Sequence, residues 1–264
     1  MAISIDTVKE LRWKTGAGLT DCKNALIEAN GSLEEAIKIL QKKGMAASIT
    51  RSDKPTSEGR IWLSNDTKYR SIKVRIVKCE TDFVANNSDF VALGNAENLE
   101  EAVNKLKISM RENIKIEEDA SIGYCVDDAV GIYVHSDNKS GAVVCIGNVR
   151  DERMEAAKTF AKDCCLHLVA YTPAFIKKED IPQSYIDEKR EIFKAQMDKD
   201  PKMASKPDAV KEGILNGKIN KHLAEITFME QPFVKDDKKS VKEKMAEICG
   251  PSSLLACAEL YTLN

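Results

Sequence analysis

The first 45 residues carry three apolar stripes at helical spacing, each cut off by a glycine and each too short to stand alone. In the first, over 4–15, Ile5, Val8 and Leu11 share a face and Gly16 ends the run. In the second, Cys22, Ala25, Leu26 and Ala29 repeat, Thr20 is placed to cap the start, and Asn30-Gly31 supplies the left-handed turn of a helix end. Ser32 opens the third, with Glu35 three residues on as a capping box. Leu33, Ala36, Ile37 and Leu40 form its stripe and Gly44 its stop. Isolated helices of this length are marginal in water, so the three must pack on one another.

The result is a three-helix module of the ubiquitin-associated type over 1–45. A polar stretch over 46–58, with Pro55, reads as a linker. Strand patterns follow at 60–64 and 72–79, where Ile72, Val74 and Ile76 alternate with Lys73 and Arg75, and Asn65-Asp66-Thr67-Lys68 suits the turn between them. Helical stretches cover 88–97 and 98–110. The pattern then recurs: strands at 131–134 and 141–147, joined through Ser136-Asp137-Asn138-Lys139, precede a helix over 152–170. Arg60-Ile61-Trp62-Leu63-Ser64-Asn65-Asp66 and Gly131-Ile132-Tyr133-Val134-His135-Ser136-Asp137 align as a weak internal repeat. Two α+β subdomains of similar build, 59–125 and 126–264, are the simplest account. The polar helical segment 183–223, broken by Pro201 and Pro207, reads as a protruding helical hairpin inserted in the second. A strand and loop over 225–234, a helix over 240–248 and a last strand over 254–261 complete the chain.

Composition removes several function classes. Among 264 residues, 40 Lys and Arg nearly balance 42 Asp and Glu, so no net field favours nucleic acid. No run approaches the roughly 20 apolar residues of a membrane span, and no apolar run follows Lys9, Arg12 and Lys14 as a signal peptide requires, which predicts a cytoplasmic protein. The eight cysteines show no Cys-x-x-Cys spacing and mostly sit in apolar runs such as Val143-Val144-Cys145-Ile146, as buried thiols do. Phosphate-cradling glycine loops and the Gly-x-Ser-x-Gly elbow are both missing from the sequence. Neither a cofactor, a metal nor an enzymatic reaction is expected. The acids Glu117-Glu118-Asp119 and Asp127-Asp128 read as solvated loop charges, and His167, among Cys165, Leu166, Leu168 and Val169, as a packed helix residue rather than a base.

One segment stands apart: Cys79-Glu80-Thr81-Asp82-Phe83-Val84-Ala85-Asn86-Asn87-Ser88-Asp89-Phe90. A strand ends in a polar turn that carries an aromatic ring before the next helix. The plain reading caps a helix with Asp82 or Ser88 and buries Phe83; the functional one notes that strand-end loops collect binding residues. Cys-Glu followed by Thr81-Asp82-Phe83-Val84 resembles the hallmark of the elongation factor Ts family. Val8-Lys9-Glu10-Leu11-Arg12, Thr15-Gly16-Ala17-Gly18, Asp21-Cys22-Lys23-Asn24-Ala25-Leu26, Gly31 and Glu35-Ala36 resemble its N-terminal signature. Pro173-Ala174-Phe175-Ile176 and Gln231-Pro232-Phe233-Val234 resemble its later landmarks.

The resemblance implies a partner, elongation factor Tu in its GDP-bound and nucleotide-free forms, with no direct contact to nucleic acid or membrane. It implies that Thr81, Asp82, Phe83 and Val84 dislocate the partner's magnesium, Phe83 wedging into an apolar gap. It places Arg12, Leu19, Thr20, His167 and Val234 in partner binding, His167 pressing near the partner's phosphate loop. Thr20 stands where many relatives are apolar, and 257–264 follows the family's ending only loosely. Two rival readings remain from the residues alone. One is a ubiquitin-binding adaptor built on the N-terminal module, the other a thiol enzyme built on Cys164 or Cys79.

Overall fold

Helix α1 (Ile5–Thr15) starts at Ser4, whose hydroxyl accepts the Thr7 N–H at 3.1 Å, and ends at Gly16 in the left-handed region (φ 67°). The computed structural model describes residues 3–50, 53–200, 203 and 206–263. Helix α2 (Leu19–Glu28) begins earlier than its expected cap. Gly18 holds the cap position without a side-chain bond, and Thr20 lies exposed inside the first turn. Asn30 (φ 51°) and Gly31 (φ 87°) turn the chain into α3 (Leu33–Thr50). The expected capping box is half made. Ser32 Oγ accepts the Glu35 N–H at 3.4 Å, while the Ser32 N–H donates to Ala29 O and the Glu35 carboxylate takes Lys38.

Gly44 corrects the expected end of the module. Helix α3 runs through it to Thr50, so the predicted linker begins as helix; Arg51 and Ser52 lie outside the described residues. A Cβ at Gly44 would stand 2.2 Å from Ile108 Cγ1 on α6 (Leu99–Met110). The glycine therefore permits a close helix crossing instead of stopping a helix. Ile108 packs against the module's core of Val8, Leu11, Cys22, Ala25, Leu26, Ala36 and Leu40, and Asp21 pairs with Arg111 just past α6. Ile5, assigned to the buried stripe, is 73% exposed.

The first sheet is antiparallel, in the order β1 (Glu58–Asp66), β2 (Ser71–Cys79), β3 (Lys115–Gly123). Asp66 Oδ1 closes the β1–β2 turn by accepting the Lys68 and Tyr69 N–H groups at 3.0 and 3.1 Å. Strand β3 replaces the loop expected around Glu117-Glu118-Asp119. Its acids are ordered by β2: Arg75 Nε donates to Asp119 at 3.0 Å and Lys78 lies 3.6 Å from Glu117. A charged edge strand is how sheets avoid pairing with other chains, which is why its sequence does not look like a strand. Arg75 is 2% exposed and also donates to Leu93 O and Gly94 O at 2.8 and 3.1 Å, so its buried charge is paired and hydrogen-bonded. The helix predicted over 88–97 is broken into α5 (Ser88–Val91) and a 3-10 turn at Ala92–Asn95, and a separate single turn, α4 (Asp82–Ala85), forms ahead of it where the sequence suggested only a polar turn. These pieces and α6 cover the sheet through Val77, Cys79, Val84, Phe90, Leu93, Val103 and Ile114.

The second sheet repeats the plan. Strands β4 (Ala129–Val134) and β5 (Ser140–Gly147) are joined by a tight loop, and β8 (Leu254–Thr262) adds to the free side of β5 as β3 adds to β2. Helix α7 (Met154–Tyr171) crosses β4 at Gly131, where a Cβ would lie 2.3 Å from the Ala161 carbonyl carbon. Helices α8 (Gln183–Asp198) and α9 (Asp208–Ile226) form the hairpin, with Pro207 at the N-cap of α9; Pro201 lies outside the described residues. The hairpin has its own core of Ile181, Met197, Leu215, Ile219 and Leu223. The strand predicted over 225–234 shrinks to β6 (Pro232–Phe233), because α9 persists to Ile226 and a 3-10 turn holds Phe228–Glu230. β7 (Asp236–Ser240) pairs with β6, and a full Ser240/Glu243 capping box starts α10 (Val241–Cys249).

Contacts divide the chain into two units. The first is Met1–Tyr124 with Val134–Gly141 and Tyr261–Asn264; the second is Cys125–Tyr133 with Ala142–Leu260. The module and the first sheet thus belong to one unit, which borrows two short stretches from the later half of the chain.

Candidate functional site

Thr81, not Asp82, caps α4: its Oγ accepts the Val84 N–H at 3.3 Å. Asn87, not Ser88, caps α5 in the same way, its Oδ1 taking the Asp89 N–H at 2.9 Å. Capping from Thr81 leaves Asp82 and Phe83 as the outward residues of a single helical turn, with Val84 and Ala85 turned into the core. Phe83 is 84% exposed, so the ring that the plain reading would have buried stands in water. The Cys79 thiol beneath donates to Thr81 O at 3.2 Å.

On the N-terminal module Arg12, Leu19 and Thr20 are all exposed, Leu19 to 52%. Beside them the structure adds a residue that the sequence reading missed. Trp13 is 84% exposed and overhangs a cleft of about 340 Å³ floored by Ala92, Leu93, Ala96, Ala102 and Leu106. Ile5 and Ile27 on the same two helices are also exposed. The available signal was the position of Trp13 two residues after Leu11, on the polar side of the α1 stripe.

His167, in the second unit, is fully buried. Nδ1 accepts the Val234 N–H at 3.2 Å, so Nε2 carries the proton and donates to Gln231 Oε1 at 2.8 Å. Gln231 Nε2 donates in turn to Glu225 O at 2.7 Å, which fixes the amide's orientation. Tyr171 stacks on the imidazole at 4.6 Å and Phe228 meets it edge-on at 5.5 Å. Burial holds its pKa below the ordinary 6.5, against a smaller upward pull from the Gln231 bond. The ring is therefore held inside the protein and favoured in its neutral form. Its neighbour Val234 is 39% exposed, and Lys235 pairs with Asp163 at 2.7 Å. His167 holds the backbone of a surface segment whose side chain is Val234.

The two thiols weighed as nucleophiles, Cys79 and Cys164, are both shifted away from reactivity. Burial, with Glu112 adding to it, pushes the Cys79 thiol up to about 12, and burial raises Cys164 well above its usual range. A nucleophilic cysteine needs the opposite shift. Among the described residues Cys125, Asp127 and Asp128 stand close enough to share a cation, but Asp128 Oδ2 already accepts the Cys125 N–H at 2.7 Å. No described helix is long and apolar enough to cross a membrane.

Comparison with known proteins bears on the whole chain. A family model described as elongation factor TS matches residues 94–250. Elongation factor Ts of Treponema denticola is 43% identical, over 94% of this chain and 92% of its own length. The proteins of that name from Treponema pallidum and Borrelia duttonii are 39% and 38% identical, each over 94% of this chain and 93% of its own. With the three-helix module, the doubled sheet and the exposed turn in place, the chain belongs to the elongation factor Ts family, a set of factors for the elongation stage of translation.

Proposed function

We propose that this protein binds elongation factor Tu, both GDP-bound and nucleotide-free, and speeds the release of GDP so that GTP can replace it. The observation that carries this is Phe83, an aromatic ring 84% exposed on a turn whose next two residues are buried. A ring presented in this way is a wedge waiting for an apolar gap. Magnesium demands near-octahedral ligands and bridges phosphate to protein, so a small shift of its shell weakens the nucleotide. Asp82 and Phe83 supply the disturbance, Thr81 and Val84 hold the turn that presents them, and Arg12, Leu19 and Thr20 dock the module. In place of the direct contact that the family resemblance implied, His167 acts through the Val234 segment. No bond is made or broken, so the protein is an exchange factor, not an enzyme, and works in the cytoplasm.

Burying the Phe83 ring contributes roughly 1.5–3 kcal/mol. Each tenfold in rate takes about 1.36 kcal/mol, so the ring alone accounts for about one to two decades. Faster exchange requires the other contacts as well. The test is stopped-flow release of a fluorescent GDP from elongation factor Tu, with and without the protein. Acceleration that saturates with concentration is expected; none, from folded protein, refutes the proposal.

A further inference from the structure

A four-residue helix does not hold itself together, because its nucleation cost exceeds anything one turn of hydrogen bonds returns. Phe83, 84% exposed, contributes almost no packing to its own turn. Val84 and Ala85, at 8% and 4% exposure, anchor the inner side, but an apolar anchor leaves the direction of the outer side loosely set. Something else fixes the turn, and the structure shows two charged groups at its two ends.

At the start, the half-buried Glu112 carboxylate accepts twice from Thr81: Oε2 takes the backbone N–H at 3.1 Å and Oε1 takes the hydroxyl at 2.6 Å. With its proton committed to Glu112, the Thr81 hydroxyl turns a lone pair to the Val84 N–H and starts the helix. At the end, Arg60 on β1 donates through Nε to Ala85 O at 2.7 Å and through Nη2 to Asn86 Oδ1 at 2.8 Å. The Asn86 amide then donates to Asp82 O at 2.9 Å, tying the residue that ends the turn back to its first. Hydrogen bonds to ionised groups are about twice as strong as neutral ones, and the two clamps come from different elements. Glu112 and Arg60 are both half-buried.

We infer that Glu112 and Arg60 are positioning residues for nucleotide exchange, holding the Asp82–Ala85 turn so that Phe83 meets its partner without first being ordered. A wedge that is already in place loses no ordering entropy at the moment of contact. The inference rests on the proposed exchange activity, and the test separates the two.

Glu112→Ala, Glu112→Gln, Arg60→Ala, Arg60→Lys, Phe83→Ala and the double variant Phe83→Ala with Glu112→Ala are compared. Three quantities are measured for each: thermal stability, amide exchange at Val84, Ala85 and Asn86 in the free protein, and the saturating rate and half-saturating concentration for GDP release. In Glu112→Ala and Arg60→Ala the turn amides should exchange about tenfold faster. The saturating rate should fall about three- to tenfold, with half-saturation moving less than about twofold. Glu112→Gln, which keeps one acceptor oxygen, and Arg60→Lys, which keeps a cation, should recover part of both effects. The double variant should be no slower than Phe83→Ala alone, because residues acting through one ring are not additive. Unchanged amide exchange in the folded variants overturns the clamp without reference to any partner. A slow Phe83→Ala beside normal Glu112→Ala and Arg60→Ala rates overturns the positioning role and leaves the exchange activity standing. A normal Phe83→Ala rate removes the wedge and this inference with it.

Discussion

Phe83 and Phe90 lie in one short stretch of chain and could hardly differ more in what they stabilise. Phe90 is 0% exposed beside Trp62, with ring centroids 6.0 Å apart, and Phe90→Ala should cost about 3–5 kcal/mol of stability. Phe83→Ala should change stability by less than about 0.5 kcal/mol, as surface changes do, yet slow GDP release about ten- to a hundredfold while complex formation stays largely intact. Denaturant titration and stopped-flow release on the same two variants check both statements. The motif around Phe83 was legible in the sequence, but which of the two rings would be buried was not. That depends on Thr81 rather than Asp82 capping the turn, and both residues are good caps. His167 gives a pH signature. Its folded pKa is below the ordinary 6.5, so the unfolded chain takes up the proton more readily. The stability it confers is complete above that value and is lost as pH falls below it. Unfolding free energy from denaturant titration should drop more steeply from about pH 7 to about pH 5 in the wild type than in His167→Gln, by at most about 1.36 kcal/mol per pH unit.

At the scale of elements, the same residue type performs opposite tasks. Gly44 lies in α3 where a Cβ would strike Ile108, whereas Gly213 and Gly217 lie in α9 with nothing within 4 Å. Alanine at either α9 position should raise stability by about 0.5–1 kcal/mol, the ordinary helix gain. Gly44→Ala should lower it, because overpacking by about 1–3 kcal/mol outweighs that gain. Thermal denaturation of the three variants decides. Local pattern could not separate these cases, since a glycine after an apolar stripe looks like a stop whether or not a second helix crosses there. Helices α1, α2, α6 and α7 were readable from their helical patterns, and strands β1, β2, β4, β5 and β8 from short β-rich runs, alternating in β2 and unbroken in β5. Strand β3 was not, because its Glu117, Glu118 and Asp119 answer to Lys78 and Arg75 on β2, partners far away in sequence.

For the whole molecule, the proposed exchange requires many contacts, an interface of roughly 2,000 Å² or more. Docking by the module and disturbance by the turn are then separable. Arg12→Ala should raise the dissociation constant for elongation factor Tu more than it slows GDP release within the formed complex, a split that titration calorimetry and saturating stopped-flow would reveal. Linkage also requires that GDP weaken the factor's binding by the same ratio as the factor weakens GDP's. The doubled α+β plan was visible in the repeated hairpins, but not the way the first unit is completed. Ile61 on β1 donates its N–H to Asn138 O at 2.9 Å, and Leu263 donates to Lys139 O at 3.0 Å, all within that unit. On the ribosome, the module and the first sheet emerge well before Asn138 and long before Leu263. Until Asn138 arrives, the nascent β1 edge lacks this acceptor and offers its backbone to any passing strand, so vectorial synthesis leaves the early half unfinished and sticky.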